Sequence, residues 1–174
     1  EAARVTAEKG VTVARRIGDE QRERVVAANL ALTYCRLGDT HAQLHWADKS
    51  AVPLELSSDL FHHLQIQHLR AQAYAVLGRA PEALAALAEG ARTETHAAHP
   101  YLRQAWRLRA SDVLALLGRN KEALSSARAV VTGEMCEPLS NRFAGVHGRW
   151  SAKVAVAEAH DVEQVRGRLN RLLE

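Results

Sequence analysis

Apolar residues recur at spacings of three and four along most of this chain, in stretches that end at short polar breaks. This spacing places them on one side of an α-helix, so the pattern predicts a succession of amphipathic helices. The tripeptides Leu37-Gly38-Asp39, Leu77-Gly78-Arg79 and Leu117-Gly118-Arg119 end three of these stretches and lie 40 residues apart. Glycine after a helix end adopts the left-handed conformation easily, so each tripeptide predicts a corner between two antiparallel helices.

A repeat of this length predicts a solenoid, in which each helix pair buries its apolar side against its neighbours. Residues rich in helix breakers, around Pro53, Pro100 and Pro138, separate the pairs. The expected fold is therefore a single all-α domain over residues 1–174, a right-handed α-solenoid of about nine helices. The predicted elements are an unpaired helix at 2–17 and four hairpins at 20–52, 58–92, 100–132 and 139–173, paired as 20–37 with 40–52, 58–77 with 80–92, 100–117 with 120–132, and 139–159 with 161–173.

The two ends depart from the repeat. Glu158 occupies the place of the fourth glycine, and a turn is predicted at 159–161, with Asp161 as the cap of a last helix. That last helix is polar at Arg166, Arg168, Asn170 and Arg171, which is typical of a capping repeat. The helix at 2–17 has apolar residues that would normally pack on a preceding helix, so we expect this chain to be a fragment of a longer protein.

Composition agrees with a helical domain and narrows the function. The 174 residues are 47% hydrophobic but only 5% aromatic, which favours helices packed through small side chains over strands. The 23 basic residues exceed the 20 acidic residues only slightly, which argues against direct nucleic-acid binding. Cys35 and Cys136 belong to no ligand motif, and no apolar run approaches the length of a membrane span. The first residues lack the charged and apolar regions of a signal peptide, so none is expected. We therefore expect a cytoplasmic location.

Small and aromatic residues before each glycine resemble the tetratricopeptide repeat (TPR). The matching positions are Ala31, Tyr34 and Gly38; Ala71, Tyr74, Gly78 and Ala83; and Ser111, Leu114, Gly118 and Ala123. The period of 40 exceeds the usual value of about 34. Longer repeats of this kind, with segments such as 14–19, look like those of large bacterial signal-dependent transcription activators of the maltose-regulator and antibiotic-regulator kinds. The pattern is also similar to that of kinesin light chain, polarity adaptors and quorum-sensing peptide receptors.

The resemblance implies a concave groove lined by the first helix of each pair, which binds a protein or peptide. The family's groove positions correspond to Asn29, Leu32, Arg36, Gln65, His68, Gln72, Leu108, Arg109, Asp112, Arg149 and Ala152. The Lys and Asn clamp of chaperone-binding members is replaced, for example by Ala28 and Leu32, so binding of chaperone C-termini is not expected. The mixture of polar and aliphatic groups suits a peptide of mixed character.

The expected function is therefore a protein-binding or peptide-binding scaffold within a larger bacterial transcription regulator or signalling protein. Two alternatives remain open. The end helices could stack on other copies as a self-association platform, or the groove could close on a small-molecule effector.

No motif indicates catalysis, a cofactor or a metal. His41 and His45 share a helix side at i and i+4, but no third ligand lies nearby in the sequence. His62, His63 and His68 begin the second hairpin, where they are either solvated or part of a ligand-contacting surface. No phosphate-binding loop or nucleophile motif is present, so we expect a protein that is not an enzyme.

Overall fold

The computed structural model describes residues 2–57, 59–97, 99–133 and 137–173, with the side chains of 3, 56, 137–144, 165 and 167–173 left out. Over these ranges the chain forms eight α-helices and no strand, which confirms the all-α class. The helices are α1 (Ala2–Arg16), α2 (Glu20–Leu37), α3 (Thr40–Ser50), α4 (Leu60–Val76), α5 (Ala80–His96), α6 (Pro100–Leu116), α7 (Asn120–Val131) and α8 (Glu137–Leu173). One 3₁₀ turn, Leu54–Leu56, lies between α3 and α4.

The predicted corners at Gly38, Gly78 and Gly118 are confirmed, and Gly18 forms a fourth. All four glycines have a positive φ, between 70° and 77°. After α4, the amide of Gly78 donates to the carbonyl of Ala75 (3.1 Å), and that of Arg79 donates to the carbonyl of Tyr74 (2.8 Å). This pair of bonds satisfies the last carbonyls of the helix. The same arrangement recurs at the other corners, so one junction is used repeatedly.

The helices also begin at regular intervals. Their N-cap residues are 20 positions apart through most of the chain, at Asp19, Asp39, Asp59, Arg79, His99 and Arg119. Each aspartate accepts a bond from an amide in the first turn, as Asp59 Oδ1 does from His62 N at 3.0 Å. The 40-residue repeat therefore consists of two helices whose starts are evenly spaced.

Helices contact mainly their immediate neighbours in the chain, and the even-numbered helices also contact one another in the order α2, α4, α6, α8. Alanines make close approach possible, since Ala31, Ala47 and Ala71 are completely buried. Between α5 and α6, the close packing requires a glycine. A Cβ at Gly90 in α5 would lie 2.0 Å from the ring of Trp106 in α6, which is 3% exposed. The solenoid arrangement and its right-handed sense stay predictions.

The turn predicted at 159–161 is wrong. Helix α8 runs without interruption from Glu137 to Leu173, so the predicted hairpin over 139–173 is one long helix. Glu158, Ala159 and His160 all tolerate a helical backbone, and no glycine is present to supply a positive φ at this point. His160 bonds to Gln164 one turn later (2.9 Å), so Asp161 lies inside the helix and does not cap a new one.

Candidate binding face

Most of the predicted groove residues lie on the exposed or partly exposed side of the even-numbered helices. On α4, Gln65, His68, Gln72 and Val76 follow one another at spacings of three and four, so they occupy one side of the helix. Equivalent positions on α2, α6 and α8 include Arg36, Asp112 and Ala152. We call this surface the groove face, defined by Asn29, Leu32, Arg36, Gln65, His68, Gln72, Val76, Arg109, Asp112, Leu116, Arg149, Ala152 and Val156.

Polar contacts join α2, α3 and α4 at the groove face. The thiol of Cys35 donates to Gln72 Oε1 at 3.2 Å, and Gln43 Nε2 lies 3.4 Å from the same oxygen. Gln43 is buried and also donates to the carbonyl of Leu69 at 2.8 Å. Burial raises the pKa of the Cys35 thiol, so the group is neutral at physiological pH. The carbonyl oxygen of Gln72 therefore helps to hold the helices together, in addition to any contact with a ligand.

His68 lies between α4 and α6 and is neutral at physiological pH. Its side chain is only partly exposed, and burial lowers its pKa to about 3, with a further contribution from the positive charge of Arg109. The imidazole can therefore offer one donor and one acceptor to a bound peptide without adding a charge. The structure thus brings two predicted groove residues from different helices close together.

Asp112 links α6 to α8. Its Oδ1 accepts a bond from the indole nitrogen of Trp150 at 3.0 Å, and its Oδ2 lies 3.5 Å from Nη2 of Arg149. Trp150 is 2% exposed and anchors α8 in the core. The structure therefore brings Asp112 and Arg149 together, as the groove prediction requires, and uses Asp112 in the packing of α8 as well.

Some predicted residues are located elsewhere. Leu108 is completely buried in the cluster that contains Trp150 and Val154, so its prediction as a groove residue is wrong. The helix period identifies an apolar position but does not show that α6 is covered by both α7 and α8 there. Leu32 is half-buried against Ala28 and its neighbours, whereas Asn29, Arg36 and Ala152 are exposed.

Two of the histidines that open the second hairpin are at least half-buried. His62 is half-buried and bonds to Ser50 Oγ at 3.1 Å, and His63 is buried, 3.6 Å from a carboxylate oxygen of Glu89. Burial lowers the pKa of both rings. His63 belongs to the packing between hairpins, so the ligand-contacting alternative is wrong for this residue. His62 lines a cavity of about 230 Å³ beside Gln21 and Arg24, and for it the alternative stays a prediction.

Sequence reasoning missed a row of exposed aliphatic residues on the groove face. Val76, Leu116 and Val156 are 56%, 55% and 70% exposed and lie 40 residues apart. Each follows a groove position, Gln72, Asp112 or Ala152, by one helical turn. Their spacing of 40 was a usable signal, but apolar residues in an amphipathic stretch are normally assigned to the core.

Two cavities of about 450 and 470 Å³ lie between successive hairpins. Their linings include matching positions 40 apart, such as Gln67 with Arg107 and Tyr74 with Leu114. In the first cavity the polar groups are already paired: Arg70 with Asp48 (2.7 Å) and Glu82 with Arg79 (2.7 Å). In the second cavity Arg107 pairs with Glu94 (2.6 Å) and Arg119 with Glu122. These cavities are gaps that the repeat produces at two successive junctions, and the charged groups named here are paired within the chain.

Within the described ranges, no three His, Cys, Asp or Glu side chains come close enough to hold a metal ion. His45 instead packs edge-on against Trp46, with 5.3 Å between ring centroids. In the same part of the chain, no helix is both long and apolar enough to cross a membrane.

Comparison with known proteins gives no match among protein-family models, curated proteins or solved structures.

Proposed function

We propose that this chain binds a peptide segment of another protein along its groove face. The observation that carries the proposal is the row Val76, Leu116 and Val156, which presents an exposed aliphatic side chain at the same place in three successive repeats, whereas the first repeat has Arg36 there. Single exposed aliphatic residues are common on protein surfaces. Exposed aliphatic residues at equivalent positions of successive repeats instead offer a ligand a regular series of apolar contacts. The TPR-like solenoid predicted from the repeat would align this row along one groove.

The spacing of the row fits an extended peptide. Packed helices lie about 8–10 Å apart, and an extended chain in the polyproline II conformation advances about 3.1 Å per residue and brings every third side chain to the same side. A peptide running across the helices would therefore place one aliphatic side chain opposite each repeat if such residues occurred at about every third position.

The charge of the groove face favours an acidic peptide. The predicted groove residues include Arg36, Arg109 and Arg149 but only one carboxylate, Asp112, which lies beside Arg149. Acidic residues between the aliphatic ones would be attracted to this surface, mainly through a faster association rate. The ligand class that we propose is thus an unfolded segment with aliphatic residues at every third position and acidic residues between them.

We further propose that the chain is the recognition segment of a larger bacterial transcription regulator or signalling protein. The support for this role is the likeness of its 40-residue repeats to those of signal-dependent activators. In the two cavities described above a small-molecule effector is less favoured, because the charged groups of their linings are paired within the chain.

The test is selection from a phage-displayed library of random peptides of about 12 residues, followed by fluorescence anisotropy with the enriched peptides. We expect Leu116→Asp to weaken binding about tenfold or more, because it places a repelling, desolvated charge against an acidic, aliphatic peptide. Val13→Asp is the matched control, since Val13 is similarly exposed (53%) but lies on α1, away from the groove face. Failure to enrich any peptide, or equal binding by Leu116→Asp and the parent chain, would refute the proposal.

A further inference from the structure

A small polar cavity lies between the first and second hairpins. Its volume is about 230 Å³, and its walls come from α2, from the end of α3 and from the segment that leads into α4. The lining residues are Gln21, Arg24, Val25, Ser50, Val52, Ser57, Asp59 and His62. We call it the His62 cavity. None of these residues belongs to the groove face, so the cavity is a separate feature of the molecule.

Hydrogen bonds join the walls of the His62 cavity and fix the tautomer of His62. Ser50 is completely buried, and its Oγ donates to the carbonyl of Arg24 at 2.9 Å. Because that bond uses the only proton of the hydroxyl, Nε2 of His62, 3.1 Å away, must donate to Ser50 Oγ. The other ring nitrogen, Nδ1, is then an acceptor. It makes no bond within the described residues, where no buried side-chain polar atom lacks a partner, so Nδ1 is accessible to a ligand.

The ring of His62 also lies near two opposite charges. Burial lowers its pKa, the carboxylate of Asp59 raises it, and the guanidinium of Arg24 lowers it. The imidazole is therefore neutral at physiological pH. One charged group belongs to α2 and the other to the cap of α4, so both ends of the cavity are charged, with opposite signs.

The α4 side of the cavity offers acceptors. Ser57 Oγ donates its proton to the carbonyl of Asp59 at 3.1 Å, which leaves its lone pairs open. Asp59 caps α4 through Oδ1, which accepts from His62 N at 3.0 Å, so its second oxygen is not used by the cap. Together with Nδ1 of His62, these atoms form a set of three acceptors.

The α2 side of the cavity offers donors. Arg24 pairs with Glu20 at 3.5 Å, and the Glu20 side chain is 84% exposed. An exposed ion pair at this distance contributes little, so the planar guanidinium keeps most of its five N–H donors available. Gln21 adds an amide group one turn earlier on the same helix. A ligand that fits both sides therefore needs donors at one end and acceptors at the other.

The next hairpin boundary shows that the fold does not require these polar groups. The residues 40 positions after Arg24, Ser50 and His62 are Leu64, Gly90 and Leu102. At that boundary the two leucines pack in an apolar cluster with Trp106, whose ring fills the space beside the glycine. Burying polar groups costs free energy that apolar packing does not. The polar set at the first boundary therefore indicates a binding role.

We propose that the His62 cavity binds a free α-amino acid with a short aliphatic side chain. The ammonium group would donate to the three acceptors on the α4 side, and the carboxylate would accept from the guanidinium and amide on the α2 side. Val25 and Val52 would contact the aliphatic side chain. The ligand must be small, because pockets for drug-sized molecules measure about 300–1,000 Å³ and this one is below that range.

Binding here would couple two hairpins. A ligand held by Arg24 and Asp59 would contact α2 and α4 at once, and its site exists only in the folded chain. Such a ligand raises the unfolding temperature as its concentration rises. The cavity would thus give the chain a small-molecule input in addition to its peptide-binding surface.

The experiment measures binding of L-alanine, L-valine and L-leucine to the 174-residue chain by isothermal titration calorimetry and by thermal unfolding. We expect at least one of them to bind with a dissociation constant below about 1 mM and to raise Tm. The deaminated and amidated forms of that amino acid, which for valine are isovalerate and valinamide, should bind about tenfold more weakly or less, because each lacks one charged end.

Asp59→Asn separates binding from folding, because asparagine caps a helix as well as aspartate does but carries no charge. We expect it to weaken binding about tenfold or more while Tm without ligand changes little. Asp39→Asn is the matched control, since Asp39 caps α3 in the same way, by accepting from Ala42 N at 3.0 Å, but does not line the cavity. Arg24→Leu introduces the residue type of the next boundary and should also weaken binding about tenfold or more.

Three results would overturn the proposal: no binding heat and no shift in Tm with any of the three amino acids up to about 10 mM, equal binding of an amino acid and its uncharged-end analogues, and equal binding by Asp59→Asn and the parent chain. The peptide-binding proposal does not depend on this outcome, because it is tested by Leu116→Asp on a different surface.

Discussion

At the scale of single residues, size and exposure decide the role of each side chain more than residue type does. Gly90 is needed because the indole of Trp106 fills the space beside it, whereas Gly10 in α1 faces only the two methyl groups of Val26. Leu108 and Leu116 are two turns apart on α6, yet one is completely buried and the other is 55% exposed. Sequence periodicity identifies apolar positions but does not show how many neighbours cover a helix, so it misassigned Leu108 and missed Leu116.

We expect Gly90→Ala to lower the free energy of unfolding by about 1–3 kcal/mol, because the added methyl overlaps a buried indole that has no room to move. Chemical denaturation measures the change. Gly10→Ala is the control, where the nearest atom is a valine methyl at 3.3 Å and the better helix propensity of alanine offsets the crowding. Equal effects of the two substitutions would contradict the role assigned to Trp106.

At the scale of helices, the sequence predicts junctions well where the backbone has a special requirement and poorly where it has none. Gly38, Gly78 and Gly118 were predictable because a positive φ excludes most other residues. The aspartate N-caps follow the same logic, since each of them accepts an amide bond. The turn predicted at 159–161 rests on the repeat interval and on Asp161 as a cap, in a segment without glycine or proline to stop a helix, and the prediction is wrong.

Gly78→Val should destabilise the fold by more than about 1 kcal/mol, because a β-branched residue is strained at φ 73°. The cost is conformational and not steric, since no other atom lies within 4 Å of a Cβ built at this position. Gly78→Asn should therefore cost less, as asparagine tolerates the left-handed region. Thermal unfolding compares the two variants, and the interpretation fails if valine is as well tolerated as asparagine.

At the scale of the whole molecule, the all-α class and the evenly spaced helices follow from the repeat, whereas the binding surface depends on which helices share an exposed side. The groove face collects residues from four helices that are separated by up to 127 positions in the chain, from Asn29 to Val156. The resemblance to TPR proteins predicts most of these positions but does not predict the exposed aliphatic residues Val76, Leu116 and Val156.

The stability of the whole chain should fall as the pH drops from about 7 towards 5. The folded state lowers the pKa of His62, His63 and His68 below 6.5, the last to about 3, so the unfolded state takes up protons first. Each such group gives a slope of up to about 1.4 kcal/mol per pH unit below 6.5. The stability that depends on these histidines being neutral is fully present above pH 6.5 and is lost progressively below it.

Urea unfolding of the parent chain and of His68→Gln at pH 7, 6 and 5 measures this contribution. The variant should lose stability more slowly over this range, because its residue 68 does not titrate. Parallel curves for the two proteins would show that His68 is protonated as easily in the folded state as in the unfolded one.

The close fit of Gly90 to Trp106 also constrains how the molecule could be rearranged. The position 40 residues before Gly90 is Ser50. The two junctions therefore have a similar backbone, but the side chains that meet there differ in size. If the second and third hairpins exchanged places, Trp106 would meet Ser50, whose side chain occupies the space that Gly90 leaves open for the indole. Although the corners are interchangeable, the order of the hairpins is fixed by the volumes of the side chains that meet between them.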